Sequence, residues 1–138
     1  ALRSSHAMLQ IPEEQFENVL TVTFVDSDPE AGITKVRLRA GQELFIPYLP
    51  APENSTIQIR ISADDILVAT RRPEGISAGN VLHGTVRRID KIDGQAMVTV
   101  AAGDEFYARL TASAIKRLDL VEETAVFLIM KIRSFRSL

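Results

Sequence analysis

The sequence has no cysteine. That excludes disulfides, thiolate nucleophiles and cysteine-bound zinc, and it fits a reducing compartment. Only two histidines are present, His6 and His83, too few for a histidine metal cluster. Neither sign of charge is in excess: 16 basic and 18 acidic residues give a net charge of −2, and the charges are interleaved. A nucleic-acid-binding domain usually shows a clear basic excess, so no nucleic-acid partner is expected. Aromatic residues make up 6%, thin material for a base-stacking surface. No apolar run approaches the ~18–20 residues of a membrane span, so no direct membrane insertion is expected. The first ten residues lack the apolar segment of a signal peptide. With Ser4-Ser5-His6-Ala7-Met8, they are expected to be a cloning remnant or disordered. Three catalytic motifs are also missing: the G-x-x-x-x-G-K-[ST] phosphate loop, the G-x-S-x-G elbow and H-E-x-x-H. The chain is expected not to be an enzyme.

What is present suits a folded domain. The 138 residues are 46% hydrophobic and 25% charged, ordinary for a globular protein able to bury a sizeable core. The dominant pattern is short apolar/polar alternation broken by turn residues, the signature of strands. Val19, Thr21, Thr23 and Val25 alternate with Leu20, Val22 and Phe24. After a turn at 26–32, Ile33, Val36 and Leu38 and then residues 44–46 continue a meander. Pro47 ends the pairing, and Pro50 and Pro52 extend the connection. Strands are expected at 56–61 and 66–69.

Arg71-Arg72-Pro73-Glu74-Gly75 marks an internal boundary, because Pro and Gly punctuate there and the strand pattern restarts. Strands are expected at 81–89, 96–101 and 106–110. Leu110, Ala114, Ile115 and Leu118 then fall at helical spacing, with Thr111 or Ser113 as N-cap. A closing strand is expected at 125–132. Three strands, a short helix and a strand suggest a small OB-like barrel, and the first half resembles it without an obvious helix. The expected fold is all-β: tandem small OB-like β-barrel subdomains with one short helix. Their bounds are 11–72 and 73–138, and exchange of strands between them is left open.

Several constellations read better as ordinary structure. Asp26, Asp28 and Glu30 have a superficial calcium-loop spacing, but Gly32 is one place late and Arg37 stands where the closing glutamate belongs. A solvated hairpin turn fits better. Asp64-Asp65 reads as a surface turn, and Phe106-Tyr107 as one ring inward and one outward. His83 reads as a polar-face side chain.

The segment Gly75-Ile76-Ser77-Ala78-Gly79-Asn80 feeds a strand, and Lys131 follows the apolar run Val126-Phe127-Leu128-Ile129-Met130. Hydroxyl, backbone N–H and ammonium groups together could hold a small oxyanion without a metal. Residues 73–86 resemble the start of a molybdate-binding MOP (TOBE-type) domain. Residues 108–120 resemble that family's strand-to-helix segment, and 126–131 its closing strand. Upstream, 31–36, 42–47 and 60–69 are similar to the segment preceding the MOP unit in the ATP-binding subunit of molybdate ABC importers. The resemblance covers nearly everything after about Phe16 and fits a first TOBE subdomain followed by a MOP-like one.

That resemblance implies a non-catalytic regulatory and dimerisation domain, cut from a longer ATPase, that senses molybdate or tungstate. A stand-alone molybdate-binding protein and a purely structural adapter are the alternatives. It implies a homodimer, a membrane permease as partner of the full-length protein, and a cytoplasmic location at the inner face of the membrane. No cofactor is implied; molybdate or tungstate would be a ligand. By position, Ser77 and the backbone from Ala78 and Gly79 to Asn80 would supply the turn donors, Thr111 a hydroxyl and Lys131 the charge. The chain departs from the family pattern in having Gly79 for arginine, Ala114 for serine and Ile132 for a small or hydroxyl residue. A lost charge-assisted bond costs ~1.5–3 kcal/mol, which Ser113 or Ser134 would have to offset.

Overall fold

A computed structural model describes residues 16–138; the expectation for residues 1–10 lies outside them. Two five-stranded antiparallel sheets form around a shared core. The strands are β1 (Glu17–Asp28), β2 (Ile33–Arg37), β3 (Glu43–Pro47), β4 (Thr56–Ser62), β5 (Leu67–Ala69), β6 (Asn80–Ile92), β7 (Gln95–Ala101), β8 (Glu105–Thr111), β9 (Ala125–Met130) and β10 (Arg136–Ser137). One helix, α1 (Ala112–Arg117), follows β8, and 3-10 turns span Ala63–Asp65 and Ile132–Ser134.

Alternation decides which faces turn inward. In β1, Leu20, Val22 and Phe24 are buried while Val19 is exposed, as a half-buried strand requires. A register shift between Phe24 and Asp26 interrupts the ladder, which resumes as Asp26↔Lys35 and runs to Asp28↔Ile33 at the turn. There, Asp28 Oδ1 accepts the N–H groups of Glu30 and Ala31, so the calcium-like spacing is a self-satisfied hairpin turn. In contrast, β7 is buried on both faces from Ala96 to Val100. Phe16 and Ala63 pack with Met97 on one of these faces, while Val98 and Val100 belong to the main core.

The first sheet has the order β10-β4-β1-β2-β3 and the second β5-β9-β6-β7-β8. Each half of the chain therefore lends its last short strand to the other. β5 pairs with β9 through Leu67↔Ile129 and Val68↔Leu128; β10 pairs with β4 through Arg136↔Arg60 and Ser137↔Ile59. One constant displacement along the chain carries the first set of pairs onto the second, so the exchange is reciprocal.

A second reciprocal device ties the halves together. The buried Asn18 side chain donates to Tyr107 O (2.9 Å) and accepts from Tyr107 N–H (2.7 Å). The buried Asn80 side chain does the same to Phe45, at 2.9 and 2.8 Å. Asn18 and Asn80 are separated by the same stretch of chain as Phe45 and Tyr107. Phe45 and Tyr107 lie on β3 and β8, the outermost strands of their sheets, whose outward backbone groups would otherwise be left unpaired. Each half thus closes the other's edge with an amide.

Several boundaries differ from expectation; β6, expected at 81–89, spans Asn80–Ile92. The closing strand ends at Met130, because Lys131 begins the 3-10 turn Ile132–Ser134, and the chain then re-enters the opposite sheet as β10. The helix is short, with Thr111 as its N-cap and Leu118 as its C-cap.

Candidate functional site

The register Asn80↔Met130 sets the turn before β6 beside the turn after β9. Gly75, at φ +62°, allows the backbone reversal that delivers residues 76–79 to this point. Ser77, Ala78 and Lys131 consequently line one groove of about 390 Å³. Ile76, Leu67 and Ile129 form its apolar flank, and Ser134 also contributes to the wall. Ser77 and Lys131 are exposed and Ala78 is half-buried. The Lys131 side chain makes no cap hydrogen bond to the turn it precedes.

The other three expected residues are not among those that line the groove. Asn80 has its side chain committed to Phe45, so it stiffens the start of β6. Gly79 packs beneath Ile132: a Cβ at Gly79 would stand 2.5 Å from Ile132 Cδ1. The two departures at Gly79 and Ile132 thus occupy the same space, and a larger residue at 79 requires Ile132 to move. Thr111 caps α1, its hydroxyl accepting the Ala114 N–H at 3.1 Å, and is not among the groove-lining residues. Of the two serines that could offset missing donors, Ser134 lines the groove, whereas Ser113 is exposed on α1.

Sequence reasoning missed the groove's acidic wall. Asp64 and Asp65 are indeed exposed and in a turn, but that turn closes one side of the groove. Arg109 of β8 holds Asp64, with Nε to Oδ1 at 2.7 Å and a second bond between Nη2 and Oδ2. Lys131 thus shares the groove with Asp64 and Asp65, and with Arg109 paired to Asp64 the local charge is close to balanced. A dianion entering from one side gains Lys131 but also meets Asp65. The signal was the reciprocal fold itself: the turn after β4 occupies in one half the place that the turn after β9 occupies in the other.

Residues set aside on sequence grounds stay structural. Phe106 is fully buried and its neighbour Tyr107 half-buried. The Tyr107 hydroxyl donates to Glu105 at 2.5 Å. That bond and then burial push its pKa from 10.0 up to about 12. His83 lies against Phe127, ring centroids 5.1 Å apart, and Arg72 covers the Phe127 ring at 4.9 Å. Among the described residues no group of three or more His, Asp or Glu side chains could hold a metal ion.

Comparison with known proteins places this geometry in a family. The TOBE domain model matches residues 76–134, the segment that holds Ser77, Lys131 and the strands between them. The chain carries a TOBE domain. It is related to the molybdenum import ATP-binding proteins ModC. The Rhizobium etli protein is 36% identical over 115 residues, 82% of this chain and 32% of that protein. The Rhizobium meliloti protein is 36% identical over 123 residues, 87% and 34% respectively. This chain thus spans about a third of the length of the curated relatives it matches. Among solved structures, the cytoplasmic molybdate-binding protein ModG, in a form with molybdate bound, has a TM-score of 0.81 at 22% identity. The match covers 89% of this chain and 96% of that one. The fold around the TOBE domain is therefore the expected all-β, OB-like pair of curled sheets.

Proposed function

We propose that the chain is a non-catalytic regulatory and dimerisation module of a molybdate importer's ATP-binding subunit, and that it holds molybdate or tungstate at the Ser77–Lys131 groove. The observation that carries this reading is the meeting of Ser77, Ala78 and Lys131, distant in sequence, in one groove within the matched TOBE domain. Backbone N–H groups near the turn, the Ser77 and Ser134 hydroxyls and the Lys131 ammonium are the donor types a tetrahedral dianion needs, and charge-assisted bonds supply most of the strength. Thr111 belongs to this set by position only, and would join it through a second copy.

Two features support a homodimer in which a second copy completes the groove. Within one chain, Lys131 is the only cation among the groove-lining residues, which also include Asp64 and Asp65, so further donors are required. The groove is also flanked by Leu67 and Ile76, which are 61% and 44% exposed; a second copy would cover them. We place the chain's two subdomains at 11–72 and 73–138, with β5 and β10 exchanged across the boundary. In the full-length protein the module would sit in the cytoplasm at the membrane's inner face, beside a permease partner. Oxyanion binding regulates the attached ATPases only if the ligand prefers one arrangement of the pair.

One alternative is a stand-alone molybdate-binding protein of the same binding class. A phosphate-loop domain upstream in the gene separates the two. Titration calorimetry with molybdate, tungstate and sulfate, on the wild type and on Lys131→Ala, tests the binding. We expect heat with molybdate or tungstate and at least a tenfold loss on substitution, the equivalent of about 1.4 kcal/mol. Silence toward all three anions leaves a structural dimerisation adapter and removes the sensing role.

A further inference from the structure

Reciprocal exchange gives each sheet edge a counterpart, and the counterpart of the groove has different chemistry. A pocket of about 430 Å³ lies where β10 joins β4, lined by Arg60, Arg133 and Arg136 together with Tyr48, Leu49 and Phe135. The constant displacement that maps β10 onto β5 places Arg60 opposite Ile129, Arg133 opposite Asp64 and Arg136 opposite Leu67. All three counterparts line the Ser77–Lys131 groove. The fold is therefore built equally well with apolar or acidic residues at these positions, and packing does not require the arginines.

Their arrangement carries a cost. Arg136 and Arg60 are directly opposite in the β10–β4 register, and like charges facing each other across a ladder are destabilising. Glu17 stands between them. Its Oε2 lies 2.6 Å from Arg136 Nη2 and its Oε1 3.4 Å from Arg60 Nε. The second contact lacks hydrogen-bond geometry: both buried atoms, Glu17 Oε1 and Arg60 Nε, are without a hydrogen-bond partner. Arg133 is exposed and forms no ion pair with a described residue. One carboxylate set against three guanidiniums leaves the pocket with two surplus positive charges. The groove beside Lys131, by contrast, is close to neutral.

We infer that this pocket is an anion site for a small organic phosphate. The phosphate is held by Arg133 and Arg136, and the organic body lies along Tyr48 and Leu49. Guanidinium groups suit phosphate because their fixed fork of N–H donors matches its oxygens. Tyr48, 43% exposed at the mouth, offers a flat apolar face that inorganic phosphate would leave uncovered. The inference is independent of oxyanion binding at the groove.

The test is calorimetric titration of the full chain with phenyl phosphate and with inorganic phosphate. It is done on the wild type, on Arg133→Gln, on Arg136→Leu, which copies the residue at the counterpart position, and on Lys131→Ala. Phenyl phosphate is expected to bind at least fivefold more tightly than inorganic phosphate. Each arginine substitution should weaken it about tenfold, and Lys131→Ala should leave it unchanged. Thermal melts without ligand confirm that the exposed-site variants fold. Equal affinity for the two phosphates overturns the role of Tyr48 and Leu49. Absence of binding at millimolar concentration, or binding insensitive to both arginine substitutions, overturns the site.

Discussion

The β5–β9 edge and the β4–β10 edge occupy equivalent places in a reciprocally exchanged fold, yet they have been put to different uses. One holds Leu67, Ile129 and Asp64 around a groove whose single exposed cation, Lys131, is offset by nearby carboxylates. The other holds Arg136, Arg60 and Arg133 around a pocket with a surplus of positive charge. The backbone framework is common to both: a strand, a 3-10 turn, and a short strand that crosses to the opposite sheet. Equivalence of framework therefore fixes where an anion could approach, and side chains alone decide whether it is welcome. The same comparison applies to stability, where the two halves have kept one device in common, the asparagine that closes the partner's edge strand.

The largest expected effect breaks that shared device. Asn80→Ala removes two hydrogen bonds and leaves the N–H and C=O of Phe45 without their partner; at ~1–3 kcal/mol for an unsatisfied buried group, the loss should be about 3 kcal/mol. Asn18→Ala should cost about the same, because it leaves Tyr107 in the same position. Urea denaturation measures both. If one substitution proves nearly neutral while the other is severe, the two halves do not depend on each other symmetrically and the reciprocal reading of the fold fails.

That asparagine pair also shows what could be read in the sequence and what could not. Strands were legible because alternation such as Leu20, Val22 and Phe24 against Val19, Thr21 and Thr23 reflects a local constraint, one face in and one out. The helix was legible from the spacing of Ala114, Ile115 and Leu118 and from Thr111 or Ser113 as its cap, of which the structure uses Thr111. β10 was not, since two polar residues, Arg136 and Ser137, carry no alternation and are held by a partner far away in sequence. Neither was the role of the Asn80 side chain, since its backbone reads as a turn donor and only the position of Phe45 shows what the amide does. In the groove, Ser77 and Lys131 were found through their donor chemistry. Asp64 and Asp65 were missed because a turn's surroundings are set by tertiary contacts that local pattern does not encode.

A substitution at the groove sharpens the contrast between the edges. Gly79→Arg alone should fail to improve oxyanion binding, since the new side chain meets Ile132 at its first carbon. With Ile132→Ser added, the space opens and a guanidinium can join Lys131, giving this edge the kind of surplus charge the other already has. One charge-assisted bond at ~1.5–3 kcal/mol corresponds to roughly tenfold to a hundredfold in affinity, measured by titration with molybdate against the wild type. Should the single Gly79→Arg variant gain as much as the double variant, Ile132 does not restrict the site, and the coupling of these two positions is wrong.

The smallest effect concerns Phe45 and Tyr107, the residues at which the two brackets close. They differ by one hydroxyl, which on Tyr107 donates to Glu105 and raises the phenol pKa from 10.0 to about 12. Because the folded value is the higher one, the contribution to stability is complete below pH 10, where the phenol is protonated in both states. It is lost progressively between about pH 10 and 12, as the unfolded chain releases a proton that the folded chain retains. Tyr107→Phe makes this position like its counterpart and removes that dependence. Denaturation curves of the two proteins should therefore converge, or cross, as pH rises from 9.5 to 11.5, with the wild type losing more. Parallel loss in both would mean that the Glu105 bond is too solvent-exposed to distinguish folded from unfolded states, and that the two edge closures are alike in energetics as well as in geometry.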